Sequence, residues 1–122
     1  MPSAACQIRV LFSEPLNLGP GKIRLLEAIH EAGSISGAAR SLHISYRRAW
    51  LMADALNKVF PSPLIDTSAG GVRGGGARLT ALGEEVLTRY RKMETKAARA
   101  VSKEIEAILA LGRQAGGKTS KP

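Results

Sequence analysis

Residues 33–60 contain two short amphipathic segments that follow one another almost directly. In each segment the apolar residues recur at the spacing of one helix face, so the pattern predicts one helix per segment. Residues 42–44 between the segments are too few for a loop between domains and predict a tight turn, with Ile44 packed into the angle between the helices. The apolar positions are Ile35, Ala38, Ala39 and Leu42 in the first segment, and Ala49, Met52, Ala53, Leu56 and Phe60 in the second.

Each of these segments begins at a serine that can cap a helix: Ser36 stands before Gly37, and Ser45 stands before Tyr46. A serine hydroxyl at this position accepts a hydrogen bond from an amide of the first turn. A helix, a tight turn and a second helix make up the helix-turn-helix arrangement, whose second helix enters the major groove of DNA by its N-terminus. The second helix here begins Ser-Tyr-Arg-Arg, so its basic end is the one expected to meet DNA.

The residues before this motif predict a strand and a helix. Residues 6–12 alternate near period two and are rich in branched side chains, which predicts a strand with Ile8, Val10 and Phe12 on one face. The helix that follows closes at Gly33 with a left-handed cap. Its predicted inward residues are Ile23, Leu26, Ala28 and Ile29, with Leu25 as a further candidate.

A glycine-rich hairpin is predicted after the motif. Residues 64–67 and 77–79 each predict a strand, and residues 68–76 between them carry too many glycines to form a core. We expect a hairpin with a long flexible tip, the wing, and we expect the N-terminal strand to pair with it and complete a small sheet. The tip lacks the Gly-Lys-Ser/Thr ending of a P-loop, so its glycines are interpreted as letting backbone amides and Arg73 approach DNA. The alternative is a tip that contacts nothing.

A long amphipathic helix is predicted from Thr80, which caps it, to Leu111. At 1.5 Å per residue it would be roughly 48 Å long, far longer than the preceding domain needs. Only its first half can pack on that domain, so we expect the second half to pair with the same helix of a second chain. The predicted pairing residues are Met93, Ala97, Val101, Ile105 and Ile108.

These patterns together predict a mainly α fold with a small β-sheet, namely a winged helix-turn-helix with a long C-terminal dimerisation helix. The winged helix-turn-helix DNA-binding domain is expected at residues 1–79, the dimerisation helix at 80–111 and a disordered tail at 112–122. Such a homodimer would place its two recognition helices about 34 to 36 Å apart, or a multiple of that, to match a palindromic operator.

The charge of the chain favours double-stranded DNA as the partner. The formal net charge is +8, from 18 Lys and Arg against 10 Asp and Glu, and the basic excess between Arg40 and Arg78 falls on the proposed DNA-facing surface. No apolar run approaches the roughly 20 residues that cross a bilayer, and the N-terminus does not resemble a signal peptide. The single cysteine, Cys6, excludes an internal disulfide and fits a reducing compartment. We therefore expect a cytoplasmic protein with no membrane partner.

The predicted DNA contacts cluster at the start of the second helix of the motif. An arginine there can hold guanine O6 and N7 bidentately, and a tyrosine hydroxyl can hold a phosphate; the sequence does not say whether Arg47 or Arg48 reads a base. For Lys22 a solvated side chain is an equal alternative, and for Trp50 partial burial is an equal alternative to a contact with the DNA backbone. The predicted contacts are Lys22, Ser34, Ser36, Ser45, Tyr46, Arg47, Arg48, Trp50, Arg73 and Arg78.

The sequence offers no catalytic or metal site. It contains no convincing pair of carboxylates, no nucleophile elbow and no cluster of metal ligands. His30 has no Cys or His at ligand spacing, and His43 lies in the predicted turn. We expect no enzyme, no metal and no cofactor.

The chain resembles a known family over residues 21–93 or so. The positions that resemble the winged helix-turn-helix of LysR-type regulators are Ala38-Ala39, Leu42, Ile44-Ser45, Ala49, Ala53 and Leu56, followed by the hairpin and Leu79-Thr80-Ala81-Leu82-Gly83. Those that most resemble the DNA-binding domain of ModE-type, molybdate-responsive regulators are Ile44-Ser45-Tyr46, Ala49-Trp50 and the glycine-rich residues 69–77. The resemblance implies a repressor of molybdate transport or molybdenum-enzyme genes.

One departure from that family concerns sensing. ModE proteins usually continue, after the linker helix, into a pair of molybdate-binding domains, whereas this sequence has no Ser-Ala-Arg-Asn segment and nothing that resembles a molybdate pocket. We therefore expect no direct sensing. The chain then regulates constitutively, takes its signal from a separate molybdate-binding protein, or is a nonspecific nucleoid-type DNA binder. From a different class, it is a protein-interaction adaptor whose long helix binds another protein.

Overall fold

The computed structural model describes residues 10–11, 17–67 and 76–118 of the chain. The described residues form a mainly helical fold with short antiparallel strands, which confirms the predicted fold class. The elements in chain order are β1 (Val10–Leu11), β2 (Asn17–Leu18), α1 (Pro20–Ala32), α2 (Ile35–Leu42), α3 (Tyr46–Val59), β3 (Ile65–Asp66), β4 (Arg78–Leu79) and α4 (Ala81–Lys118).

The core lies between α1, α2, α3 and the base of the wing. All the predicted inward residues of α1 are buried, including Leu25. The apolar faces of α2 and α3 also turn inward as predicted, with the outer members Leu42, Met52 and Phe60 only partly buried. The largest fully buried side chains are Ile23, Leu25, Leu26, Ile29, Leu56, Leu64 and Ile65.

Helix caps separate α1 from α2. Gly33 adopts the left-handed conformation with φ 75°, and its amide donates to the carbonyl oxygen of Ile29 at 2.9 Å. Ser34 then has extended backbone angles, and its Oγ accepts from the amide of Gly37 at 2.9 Å. The prediction that Ser36 caps this helix is therefore wrong: because the chain leaves the glycine cap directly into extended backbone, the helix starts early and Ser36 lies inside its first turn.

The wing hairpin forms as predicted at its base, where β3 pairs antiparallel with β4. The prediction for the N-terminal strand is wrong in the part that the structure describes, because β1 pairs with β2 in a separate sheet. The backbone between α1 and α2 lies against the wing instead: Ser34 forms an antiparallel bridge with Gly76, and the amide of Ala77 donates to the carbonyl oxygen of Gly33 at 2.9 Å. The rest of the predicted first strand, with Cys6, Ile8 and Phe12, and the glycine-rich tip at 68–75 lie outside the described residues.

The first half of α4 packs on this domain. Thr80 caps the helix as predicted, since its Oγ1 accepts from the amide of Gly83 at 3.0 Å. Tyr90 is buried, and Met93 is partly buried against the core. The helix continues to Lys118, past Leu111 where the apolar pattern ends, so the described part of the predicted tail is helical.

An ion-pair network also ties α4 to α1. Arg91 Nε donates to Glu27 Oε2 at 2.9 Å, and Arg91 Nη1 donates to Glu94 Oε1 at 2.7 Å. The hydrogen bond with Glu27 raises the pKa of Arg91, against a smaller lowering by burial. The guanidinium thereby joins α4 to Glu27 of α1.

Candidate nucleic-acid interface

The helix α3, referred to below as the recognition helix, is held against the domain by small side chains. Ala49 and Ala53 are exposed by 0% and 3%, so the backbone of the helix lies close to its neighbours at these positions. The turn before it contains His43 in the left-handed conformation with φ 60°. The amide of Ile44 donates to the carbonyl oxygen of Ala39 at 3.1 Å, and Ile44 packs on the core as predicted. The opposite side of the helix faces outward.

The N-terminus of the recognition helix concentrates positive charge. Ser45 caps it as predicted, with Oγ accepting from the amide of Arg48 at 3.0 Å. Arg47 and Arg48 are exposed, and neither takes part in the ion pairs that the described residues form. A helix N-terminus carries the positive end of the helix dipole, so the two guanidinium groups and the dipole attract an anion such as a DNA phosphate together.

The other predicted contacts occupy three further elements. Ser34 is half-buried as the cap of α2, and its Oγ lies 3.5 Å from that of the exposed Ser36. Lys22 is half-buried in the first turn of α1. Arg78 is exposed on β4, with Nε 3.9 Å from Asp66 Oδ2. Arg73 lies outside the described residues.

Aromatic and aliphatic side chains also occupy the outer side of the recognition helix. Tyr46 is exposed by 56% and Trp50 by 44%, so Trp50 is on the surface beside the apolar face. Leu51, which the sequence reading did not single out, is exposed by 48%. Together with Arg47 they line a shallow depression of about 350 Å³. A helical projection would have placed Leu51 outside, since it lies two positions from both Ala49 and Ala53.

The base of the wing is fixed to the recognition helix by a side chain that the sequence reading also missed. Asn57 Oδ1 accepts from the amides of Leu64 and Ile65, both at 2.9 Å. Its Nδ2 donates to the carbonyl oxygen of Ile65 at 3.0 Å. These bonds set the position of the wing relative to the helix.

Metal ligands do not cluster in the described part of the chain. This part contains no group of three or more His, Cys, Asp or Glu that could hold a metal ion. His30 lies beside an acid, with Nδ1 3.0 Å from Glu84 Oε2, and His43 is exposed in the turn. None of the described helices is long and apolar enough to cross a membrane.

Two proteins that carry the name ModE are similar to this chain in sequence. The transcriptional regulator ModE of Haemophilus influenzae is 35% identical over 94 residues, which are 77% of this chain and 37% of that protein. The molybdenum transport protein ModE of Azotobacter vinelandii is 44% identical over 77 residues, which are 63% of this chain and 28% of that protein. This chain therefore spans well under half of the length of either relative.

A solved protein–DNA complex has the same fold. The CbnR DNA-binding domain in complex with DNA superimposes with a TM-score of 0.57 at 26% identity, covering 72% of this chain and 95% of that chain. The family described as "Bacterial regulatory helix-turn-helix protein, lysR family" matches residues 21–84, from the first turn of α1 to the first turn of α4. Sequence and fold agree that this chain belongs to the lysR family of bacterial regulatory helix-turn-helix proteins and carries the winged helix-turn-helix DNA-binding domain of a transcriptional regulator.

Proposed function

We propose that the chain binds a palindromic operator as a homodimer and represses transcription from it. The observation that carries the proposal is the exposed N-terminus of the recognition helix, where Arg47 and Arg48 stand without an ion-pair partner among the described residues. An arginine there can bind a guanine edge bidentately, and Ser45 and Tyr46 can hold phosphates. Bound to the operator, the protein excludes other proteins from the same DNA.

The remaining contacts position the helix in the groove. Trp50 lies on the flank of the recognition helix, where its indole N–H can donate to the DNA backbone. Supporting phosphate contacts come from Lys22 on α1 and from Ser34 and Ser36 at the start of α2. Arg78 and Arg73 on the wing approach an adjacent phosphate or the minor groove.

The homodimer forms through the second half of α4. Past Met93 the helix leaves the domain, and its apolar stripe has no cover within the described residues: Val101 is exposed by 36% and Ile108 by 66%. Pairing with the same helix of a second chain buries that stripe and places the two recognition helices on one face of the DNA. The proposed pairing residues are Met93, Ala97, Val101, Ile105 and Ile108.

The targets are operators of molybdate transport or molybdenum-enzyme genes. This step rests on the similarity to the ModE regulators described above, of which this chain spans only a part. A separate molybdate-binding protein supplies the signal, or the regulation is constitutive. A chromosomal operator places the action of the protein in the cytoplasm.

The test is selection of bound duplexes from a random pool, with and without molybdate. The expected result is an enriched palindrome whose affinity exceeds that for random duplex by about a thousandfold or more at physiological salt. A variant in which both Arg47 and Arg48 are alanine should enrich nothing. Equal binding of all duplexes would indicate a nonspecific nucleoid-type binder. No binding to any duplex would favour the adaptor alternative, in which the exposed apolar stripe of α4 binds another protein. Enrichment only with molybdate would show that the chain senses the anion itself.

A further inference from the structure

The outer side of the recognition helix carries an apolar side chain, Leu51, that the proposed hydrogen bonds to DNA do not explain. Among the described residues, the exposed large apolar side chains fall into two groups, one on α3 and one in the second half of α4. The proposed pairing of two chains accounts for the group on α4. Of the group on α3, Tyr46 and Trp50 already have proposed contacts with the DNA backbone, whereas Leu51 has none.

Leu51 lies on the side of the helix that faces away from the core. It lies two positions from Ala49 and two from Ala53, and two residues correspond to about 200° around a helix. Because both alanines are buried, Leu51 lies on the opposite side of the helix. Arg47 is one turn earlier on that same outer side, so a base edge that Arg47 reaches lies close to Leu51.

The charges around Leu51 limit what can cover it. Arg47 and Arg48 stand at the positive end of the helix, so the partner of this surface is an anion. The major groove of DNA is lined by phosphates and also offers an apolar group on its base edges, the 5-methyl group of thymine. A leucine beside an arginine therefore suits a groove in which a guanine and a thymine are neighbours.

We infer that Leu51 contacts thymine 5-methyl groups in the major groove, with Trp50 beside it, and that the protein selects thymine at one or more positions of each half-site. The inference rests on the proposed function, since it assumes that the recognition helix enters the major groove. The contact of Leu51 with thymine is a second kind of base recognition. Arg47 or Arg48 discriminates by hydrogen bonds, and Leu51 discriminates by an apolar contact that cytosine, without the methyl group, does not provide.

Replacing thymine with deoxyuridine tests this directly, because it removes the methyl group and keeps both the base pairing and the O4 acceptor. Each thymine of the selected duplex is replaced in turn, symmetrically in both half-sites, and dissociation constants are measured by fluorescence anisotropy at one salt concentration. For the wild-type protein, at least one replacement should weaken binding by about fourfold per half-site, the effect of losing one buried methylene-sized group.

Two variants assign the effect to Leu51. Leu51→Ala should bind the thymine duplex more weakly than wild type and should lose most of the difference between thymine and deoxyuridine. Leu51→Met, which keeps an apolar side chain of similar size, should retain that difference. Arg47→Ala is the matched control on the same side of the helix and should also retain it. Circular dichroism and the unfolding midpoint verify that each variant is folded, which is expected because Leu51 is exposed.

Three results would overturn the inference and leave the proposed function intact. They are selected half-sites without thymine, no effect of deoxyuridine at any position, and an equal effect in wild type and Leu51→Ala. If the selection enriches no duplex at all, the proposed function fails, and the thymine contact fails with it.

Discussion

Asn57 Oδ1 accepts hydrogen bonds from the backbone amides of both Leu64 and Ile65, each at 2.9 Å. One side chain near the C-terminus of the recognition helix thereby holds the start of the wing. We expect Asn57→Ala to leave these half-buried amides without a partner and to lower the free energy of unfolding by about 1–3 kcal/mol. Urea unfolding at a fixed protein concentration measures the change.

The neighbouring Lys58 supplies the control for Asn57. Its Nζ lies 2.9 Å from Asp54 Oδ2, but the lysine side chain is 74% exposed. An exposed pair of this kind contributes at most about 0.5 kcal/mol, so Lys58→Ala should be nearly neutral. Equal losses in the two variants would show that Asn57 does not clamp the wing.

Gly83 lies where α4 passes the wing. A Cβ at this position would collide with the carbonyl oxygen of Leu64, which already accepts from the amide of Thr80 at 2.9 Å. Gly83→Ala should therefore destabilise the protein by about 1–3 kcal/mol. Gly112 is the matched control: it lies in the same helix with open space around it, and Gly112→Ala should stabilise by up to about 1 kcal/mol. A neutral Gly83→Ala in thermal or urea unfolding would contradict this close approach.

The proposed homodimer predicts the effect of a charge on α4. Ile105→Glu places a carboxylate in the apolar stripe and should convert the dimer into a monomer in sedimentation. Ala110→Glu adds the same charge on the other side of the helix, at an exposed position, and should leave the mass unchanged. An unchanged dimer in Ile105→Glu would exclude this helix pairing.

Arg47 should contribute more to specific than to nonspecific binding. If it reads a base, Arg47→Ala should weaken operator binding by about tenfold and binding to random duplex by much less. Lys103→Ala removes the same charge from an exposed position on α4, beyond the DNA-binding domain, and should affect neither strongly. If Arg47→Ala loses affinity equally for both duplexes, Arg47 is a phosphate contact only.

The ion pairs of Arg91 predict how the stability of the protein depends on pH. The pKa of Arg91 is raised in the folded protein, chiefly by the hydrogen bond with Glu27. A raised pKa means that the stabilisation is fully present below the unfolded-state pKa and is lost only as pH rises through the folded-state value, in strongly alkaline solution. Arg91→Met should therefore lower stability by the same small amount, below about 1 kcal/mol for such a half-exposed pair, at about pH 7 and about pH 10.

A second arginine on α4 controls for that experiment. Arg89 pairs with Glu85 within the same helix, Nε to Oε2 at 2.8 Å, and its side chain is 77% exposed. Since this pair does not join two elements, Arg89→Met should cost less than Arg91→Met. A loss from Arg91→Met that changes between these two pH values in urea unfolding would contradict the assignment.

Local patterns in the sequence predicted the four helices, their inward faces and most of their caps, although α4 continues past the predicted end at Leu111. Gly33, Ser45 and Thr80 were identified as caps because a cap acts within one turn of its own helix, so residue type and spacing record it. The family was also recognisable, because its motif lies in the contiguous run from α2 to the start of α4. The Ser36 cap was misplaced because two serines stand near the end of α1 and only the backbone path after Gly33 selects Ser34.

Tertiary structure alone decided which distant segments meet. The partner of β1, the hydrogen bond between Gly33 and Ala77, and the clamp from Asn57 each join segments whose separation along the chain leaves no periodic signal. The outward position of Leu51, by contrast, follows from helical spacing, since Leu51 lies opposite the predicted inward residues Ala49 and Ala53. Interactions between residues a few positions apart follow the helical or strand spacing, so the sequence predicts them. Pairing between distant segments forms only when the chain packs, so the spacing of residues does not predict it.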